Sequence, residues 1–138
     1  MKAILRNVLA VLAGMLLGGV VNMTLVMVGP RVVPSPAGVD MADAASLAAG
    51  IHLLEPRHFL FPFLAHALGT WVGALTASLI AATRGPVPAW VLGGINLAGG
   101  ILASTMIPAP GWFIALDLVL AYLPMAWLGG RLGRSLRG

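Results

Sequence analysis

The chain contains no cysteine, and only 9% of its 138 residues are charged. The absence of cysteine excludes disulfide bonds, thiolate zinc sites and thiol redox chemistry. A surface in contact with water needs roughly a quarter to a third of charged residues, whereas 59% of this chain is hydrophobic. We therefore predict that most of its surface lies in lipid. Its eight basic residues form no basic face interleaved with aromatic residues, which argues against nucleic-acid binding.

Four long apolar stretches predict an all-α membrane protein, a bundle of four transmembrane helices in one domain over residues 1–138. About 20 helical residues cross a hydrocarbon core of roughly 30 Å. Proline and glycine turn signals separate the stretches. A cleaved signal peptide is the alternative for the first stretch, but that stretch is too long and no cleavage motif follows it closely. The predicted spans are about 4–28, 57–83, 87–107 and 112–130.

The connection between the first two spans predicts a short amphipathic helix over about 41–54, lying at the outer membrane surface. Asp40 is predicted to cap this helix, with Asp43 in its first turn. One apolar face is predicted from helical spacing. It comprises Met41, Ala44, Leu47, Ala48, Ile51 and Leu54.

The distribution of basic residues predicts the orientation. By the positive-inside rule, both termini face the cytoplasm and the 29–57 connection faces outward. Three of the basic residues, Arg131, Arg134 and Arg137, either hold anionic lipid headgroups or serve only as topology anchors. The six basic residues on the predicted inner side are Lys2, Arg6, Arg84, Arg131, Arg134 and Arg137.

Small and polar residues recur at every fourth position in the spans, which favours close packing of helices in lipid. For Gly14 and Gly18 the alternatives are packing within the chain, which we favour, and a homodimer or another membrane partner. The rows are Ala10, Gly14, Gly18 and Asn22; Ala65, Gly69, Gly73 and Ala77, with His66, Thr70, Ala74 and Ser78 beside it; Asn96, Gly100 and Ser104; and Asp117, Ala121, Met125, Gly129 and Gly133.

Asp117 is the one acidic residue inside a predicted span. Such a carboxylate costs about 2.5–3.5 kcal/mol at a helix centre, so it needs a partner or a function. By the helical rise, Asp117, His66 and Asn22 lie at similar depths in the outer half of the membrane. We predict that they converge in a polar pocket with Thr70 and Asn96. The alternative is a neutral Asp117 that bonds to Asn22 or a backbone carbonyl and only locks the helices.

A metal site is a further hypothesis for His52, Glu55 and His58, which are spaced three residues apart. Zinc ligands must all lie about 2.0–2.2 Å from one ion, and His66 is too far along the helix to complete such a set. Interfacial histidines without a ligand are the explanation we favour. No nucleophile elbow, phosphate loop or close carboxylate pair is present, so the sequence predicts no catalytic residues and no organic cofactor.

The segments EPRHFLFPFLAHALGTWVGA (55–74) and ALDLVLAYLPMAWLGG (115–130), within a chain of matching length, resemble a family of small four-helix bacterial membrane proteins. The resemblance implies a bacterial inner-membrane location. It implies no activity and no site residues.

Two functions follow from the sequence. The first is an outward-facing pocket within the membrane that binds or conducts a proton, a cation or a small polar solute. The second is a non-catalytic scaffold that packs against a partner or lipids through its rows of small residues.

Overall fold

The computed structural model describes residues 1–138 and is helical, without strands. Two 3₁₀ turns, Ile51–Leu53 and Pro56–Phe59, join α2 to α3. Four helical stretches are long and apolar enough to cross a membrane: Lys2–Val32, Pro56–Ile80, Val87–Met106 and Gly111–Ser135. The helices are α1 (Lys2–Val32), α2 (Ala44–Gly50), α3 (Leu60–Ile80), α4 (Val87–Met106), α5 (Gly111–Leu120) and α6 (Leu123–Ser135).

The first helix does not end at about residue 28, before Gly29-Pro30, as predicted. Instead, α1 continues through Pro30 to Val32. A proline in the last turn removes one backbone hydrogen bond. Gly29 is buried against the ring of Phe61 in α3, and this contact holds the last turn in place.

The third helix ends at Ile80, three residues before the predicted limit. Side chains of α1 bind the chain where it leaves α3. Arg6 Nε donates to the carbonyl of Ile80 at 2.7 Å, and Asn7 Oδ1 accepts from the amides of Ala82 and Thr83. These hydrogen bonds satisfy backbone groups that lose their helical partners where α3 ends.

The predicted fourth span is two helices rather than one. Pro124 has no amide hydrogen for the carbonyl of Leu120, and the helix is interrupted at Ala121 and Tyr122. The second piece, α6, then extends to Ser135, five residues beyond the predicted end.

The outer segment contains a shorter helix than predicted. Asp43, not Asp40, caps α2 by accepting from the amide of Ser46 at 2.7 Å. Asp40 instead accepts from the amide of Ala42, forming a turn before the helix. Leu47 is buried, as an inward apolar face requires. Ala44 and Ala48 of the predicted face are exposed. The helix begins at Ala44, three residues after the predicted start, and Gly50 packs inward against Val39.

α3 is the central helix, and α1 and α6 pack against it through glycines. A Cβ on Gly14 would clash with the carbonyl oxygen of Gly73, and one on Gly18 with that of Gly69. On the other side, a Cβ on Gly133 would lie 2.8 Å from the carbonyl oxygen of Leu75. The favoured prediction that Gly14 and Gly18 pack within the chain is therefore confirmed.

The two ends of the bundle differ in chemistry. At one end, Phe59 packs its ring against Trp112 and Phe113, with centroids 5.5 and 4.8 Å away. At the other, Arg84 donates to the carbonyl of Gly138, which ties the turn after α3 to the end of α6. We call this second end the basic end; it holds Lys2, Arg6, Arg84, Arg131, Arg134 and Arg137.

Candidate functional site

Asp117 lies in α5 and is only 5% exposed. His66 of α3 places its Nδ1 2.9 Å from both carboxylate oxygens. The hydroxyl of Tyr122 donates to Oδ2 at 2.9 Å. The buried carboxyl group thus has two side-chain hydrogen-bond partners, which compensate part of the cost of removing it from water. The predicted meeting of His66 with Asp117 is present in the structure.

Tyr122 is the residue of this cluster that the sequence interpretation missed. In one continuous helix, residues five apart point about 140° away from each other at 100° per residue. The interruption before Pro124 removes that constraint and lets the Tyr122 hydroxyl reach Asp117. Gly100 of α4 provides room, since a Cβ there would lie 2.5 Å from the Tyr122 hydroxyl oxygen. The signal available in the sequence was the proline two residues after the tyrosine.

His66 is the most accessible member of the cluster. Its ring stacks on that of Tyr122, with centroids 5.7 Å apart, and its side chain is 32% exposed. Its Nδ1 is occupied by the carboxyl group of Asp117. Nε2 makes no hydrogen bond within the chain. This second nitrogen is therefore free to bind a ligand or exchange a proton.

A groove of about 350 Å³ runs between α1 and α4, with α3 as its floor. Asn96 Nδ2 donates to Thr70 Oγ1 at 3.0 Å across this floor. Asn22 also lines the groove, and its Oδ1 is buried without a hydrogen-bond partner. The structure therefore places four of the five predicted pocket residues, His66, Asn22, Thr70 and Asn96, around one groove.

The fifth predicted residue, Asp117, borders a separate cavity of about 220 Å³ that His66 also lines. Met41 and Leu47 of the outer segment line this cavity as well, and most of its other walls are apolar. Gly100 and Ala103 of α4 also line both cavities, so His66 is the polar side chain that the two cavities share. Asn22 makes no bond to Asp117, so the alternative in which Asn22 is the partner of the carboxylate is wrong.

Towards the basic end, side chains fill the space between the helices. The core there is a cluster of small side chains around Leu92, which is fully buried. Gly73 lies against the side chain of Leu92, so little space remains between α3 and α4. The members of the cluster are Ala74, Ala77, Ala89, Leu92 and Ala126.

The structure does not bring His52, Glu55 and His58 together as metal ligands, and no group of three His, Asp or Glu residues is placed to hold an ion. His58 Nδ1 lies 2.9 Å from the amide nitrogen of Glu55, as part of a capping box. The carboxylate of Glu55 pairs with Arg57 at 3.0 Å. These two side chains are therefore used for the helix start and a surface ion pair.

The three terminal arginines have different surroundings. Arg137 Nη1 donates to the carbonyls of Ser78 and Thr83, which terminates α3. Arg131 stacks over the ring of Trp127 at 5.5 Å. Arg134 is half-buried, and its side chain makes no hydrogen bond or ion pair within the chain.

Comparison with protein-family models, with curated proteins and with solved structures gave no match for this chain.

Proposed function

We propose that this chain is a four-span membrane protein that binds a proton, a cation or a small polar solute at His66 and Asp117 in the outer half of the bilayer. The observation that carries the proposal is the incomplete use of His66. One ring nitrogen is held by a buried carboxylate, while the other has no partner and the ring borders two cavities.

A purely structural cluster would use all of its polar groups between helices. Here Nε2 of His66 is unbonded within the chain, and Oδ1 of Asn22 is buried without a partner in the same groove. Unsatisfied polar atoms in a low-dielectric setting are costly, so a bound polar group would relieve that cost. The groove volume of about 350 Å³ is within the range of small-ligand sites.

The packing supports binding over free passage through the chain. The groove and the second cavity lie on the side of His66, whereas Leu92 and its small neighbours fill the bundle towards the basic end. Movement of a solute across the whole bundle would require α3 and α4 to separate at Leu92.

The first experiment uses purified full-length protein and the variant Asp117→Asn. Thermal unfolding is measured with protons, alkali and alkaline-earth cations and small amines as probes, and proteoliposomes with an entrapped pH dye report proton flux. We expect a probe-induced shift in the parent that Asp117→Asn loses while keeping its fold. His66→Gln should lose it too, because the amide cannot exchange a proton as imidazole does.

The matched control is Thr24→Val, since the Thr24 hydroxyl bonds only to Val20 of its own helix. The control should keep the response of the parent. A response retained by both Asp117→Asn and His66→Gln, or no response to any probe, would contradict the proposal. Collapse of the fold in both variants, with no response in the parent, would support the alternative of a membrane scaffold.

A further inference from the structure

Arg134 at the basic end is a cation without a counter-ion in the chain. It lies in the last turn of α6 and is half-buried. The two ion pairs of the chain are elsewhere, between Arg57 and Glu55 and between His66 and Asp117. A partly desolvated guanidinium is costly unless an anion or acceptor pairs with it.

A buried hydroxyl without a partner lies near the same glycine as this guanidinium. The position of a Cβ on Gly130 would be 3.3 Å from Arg134 Nη1 and 3.4 Å from Ser78 Oγ. Ser78 is only 1% exposed, and its Oγ makes no hydrogen bond. Two polar groups from different helices, α6 and α3, thus flank one glycine, and both lack an acceptor.

The start of α4 adds positive potential at the same place. Ala89, in the first turn of this 20-residue helix, packs against Gly130, and no side chain caps the helix. Unpaired amides and the macrodipole favour an anion at such a terminus. No acidic side chain lies at the basic end: the four in the chain are Asp40, Asp43, Glu55 and Asp117.

Two exposed apolar side chains of α6, Leu123 and Trp127, lie within about 20° of Arg134 around the helix at 100° per residue, which suits an anion that carries hydrocarbon chains. Arginine binds phosphate through two parallel hydrogen bonds. We propose that Arg134, with the Ser78 hydroxyl and the start of α4, binds the phosphate of an anionic phospholipid headgroup. The acyl chains would lie along the exposed side chains on the Arg134 side of α6, which are Leu123 and Trp127.

The test is binding of phosphatidylglycerol to delipidated full-length protein in detergent, measured by native mass spectrometry, with phosphatidylcholine of the same chains as the neutral comparison. Arg134→Gln should weaken binding of phosphatidylglycerol about tenfold, as expected for loss of a charge-assisted pair. Ser78→Ala should weaken it about threefold by removing one neutral hydrogen bond. The matched control Lys2→Gln removes an exposed cation from the same end and should change binding less than about twofold.

Thermal unfolding of each variant reports whether it folds. If Arg134→Gln does not fold, Arg134→Lys provides the comparison, because it keeps the charge and loses the two-pronged contact; a loss of at least threefold supports the site. Equal binding of both lipids by the parent, or equal losses in Lys2→Gln and the Arg134 variant, overturns it.

Inorganic phosphate is the separate probe for a free anion: Arg134-dependent stabilisation by phosphate without a preference between lipids would overturn the lipid assignment. The inference shares membrane insertion with the proposed function but not its ligand, so the Asp117 and Arg134 experiments can fail separately.

Discussion

At the scale of single residues, the central feature is how Asp117 is held. Its carboxylate receives His66 Nδ1 and the Tyr122 hydroxyl, and the Tyr122 ring stacks on the imidazole. Tyr122 therefore fixes both the carboxylate and the ring that faces the cavities. Positioning of this kind keeps the free nitrogen of His66 in one orientation, which a binding site requires.

Tyr122→Phe tests this role, because it keeps the ring and removes the donor to Asp117. We expect the free energy of unfolding in mixed micelles to fall by about 1–2 kcal/mol, the range for a buried hydrogen bond to a carboxylate in a membrane protein. Thr105→Val is the control, since the Thr105 hydroxyl bonds within its own helix to Leu102. Equal changes in the two variants would show that the Tyr122 hydroxyl has no special role.

At the scale of helices, glycines mark the faces through which α1 and α6 pack against α3. α1 approaches α3 so closely that the Gly14 Cα faces the carbonyl of Gly73. Within a bilayer, such contacts would provide the van der Waals packing that holds helices together. The remaining surface of α1 is largely exposed and apolar, as expected for a helix that faces lipid on most sides.

Gly14→Ala and Gly19→Ala make a matched pair on this helix. A Cβ on Gly14 would clash with the Gly73 carbonyl, whereas one on Gly19 would meet nothing within 4 Å. We expect Gly14→Ala to lower the free energy of unfolding by about 1–3 kcal/mol through overpacking. Gly19→Ala should be neutral or stabilising, since alanine favours helix by about 1 kcal/mol over glycine. The same sign and size for both variants would mean that α1 does not pack on α3 at Gly14.

At the scale of the whole molecule, four apolar helical stretches and a basic end define an asymmetric chain. At the basic end, Arg6, Arg84 and Arg137 donate to backbone oxygens of other segments. These bonds tie the helix ends and turns of that end together. The predicted orientation, with both termini in the cytoplasm, follows from the positive-inside rule.

Because the chain has no cysteine, single substitutions can test this orientation directly. Ala37→Cys lies in the exposed connection after α1, and Ser135→Cys lies exposed at the end of α6. In intact bacteria, a membrane-impermeant maleimide should label Ala37→Cys, and it should label Ser135→Cys only after permeabilisation. The reverse pattern, or equal labelling of both, would contradict the orientation.

The sequence by itself determined the features that depend on local pattern and solvent. The length of each apolar stretch predicts the four helical stretches. Small residues at every fourth position predict the glycine contacts, and the depth of each residue along its helix pairs His66 with Asp117. These features need only the helical rise and the composition.

The tertiary structure decided the features that depend on how each helix is rotated and where it breaks. The interruption before Pro124 brings Tyr122 to Asp117, while the rotation of α1 places Asn22 in the groove without a partner. The same packing leaves Arg134 free while Arg137 caps α3. Residue spacing gives positions along a helix, but contacts with neighbouring helices fix which way each side chain points once the regular turn is interrupted.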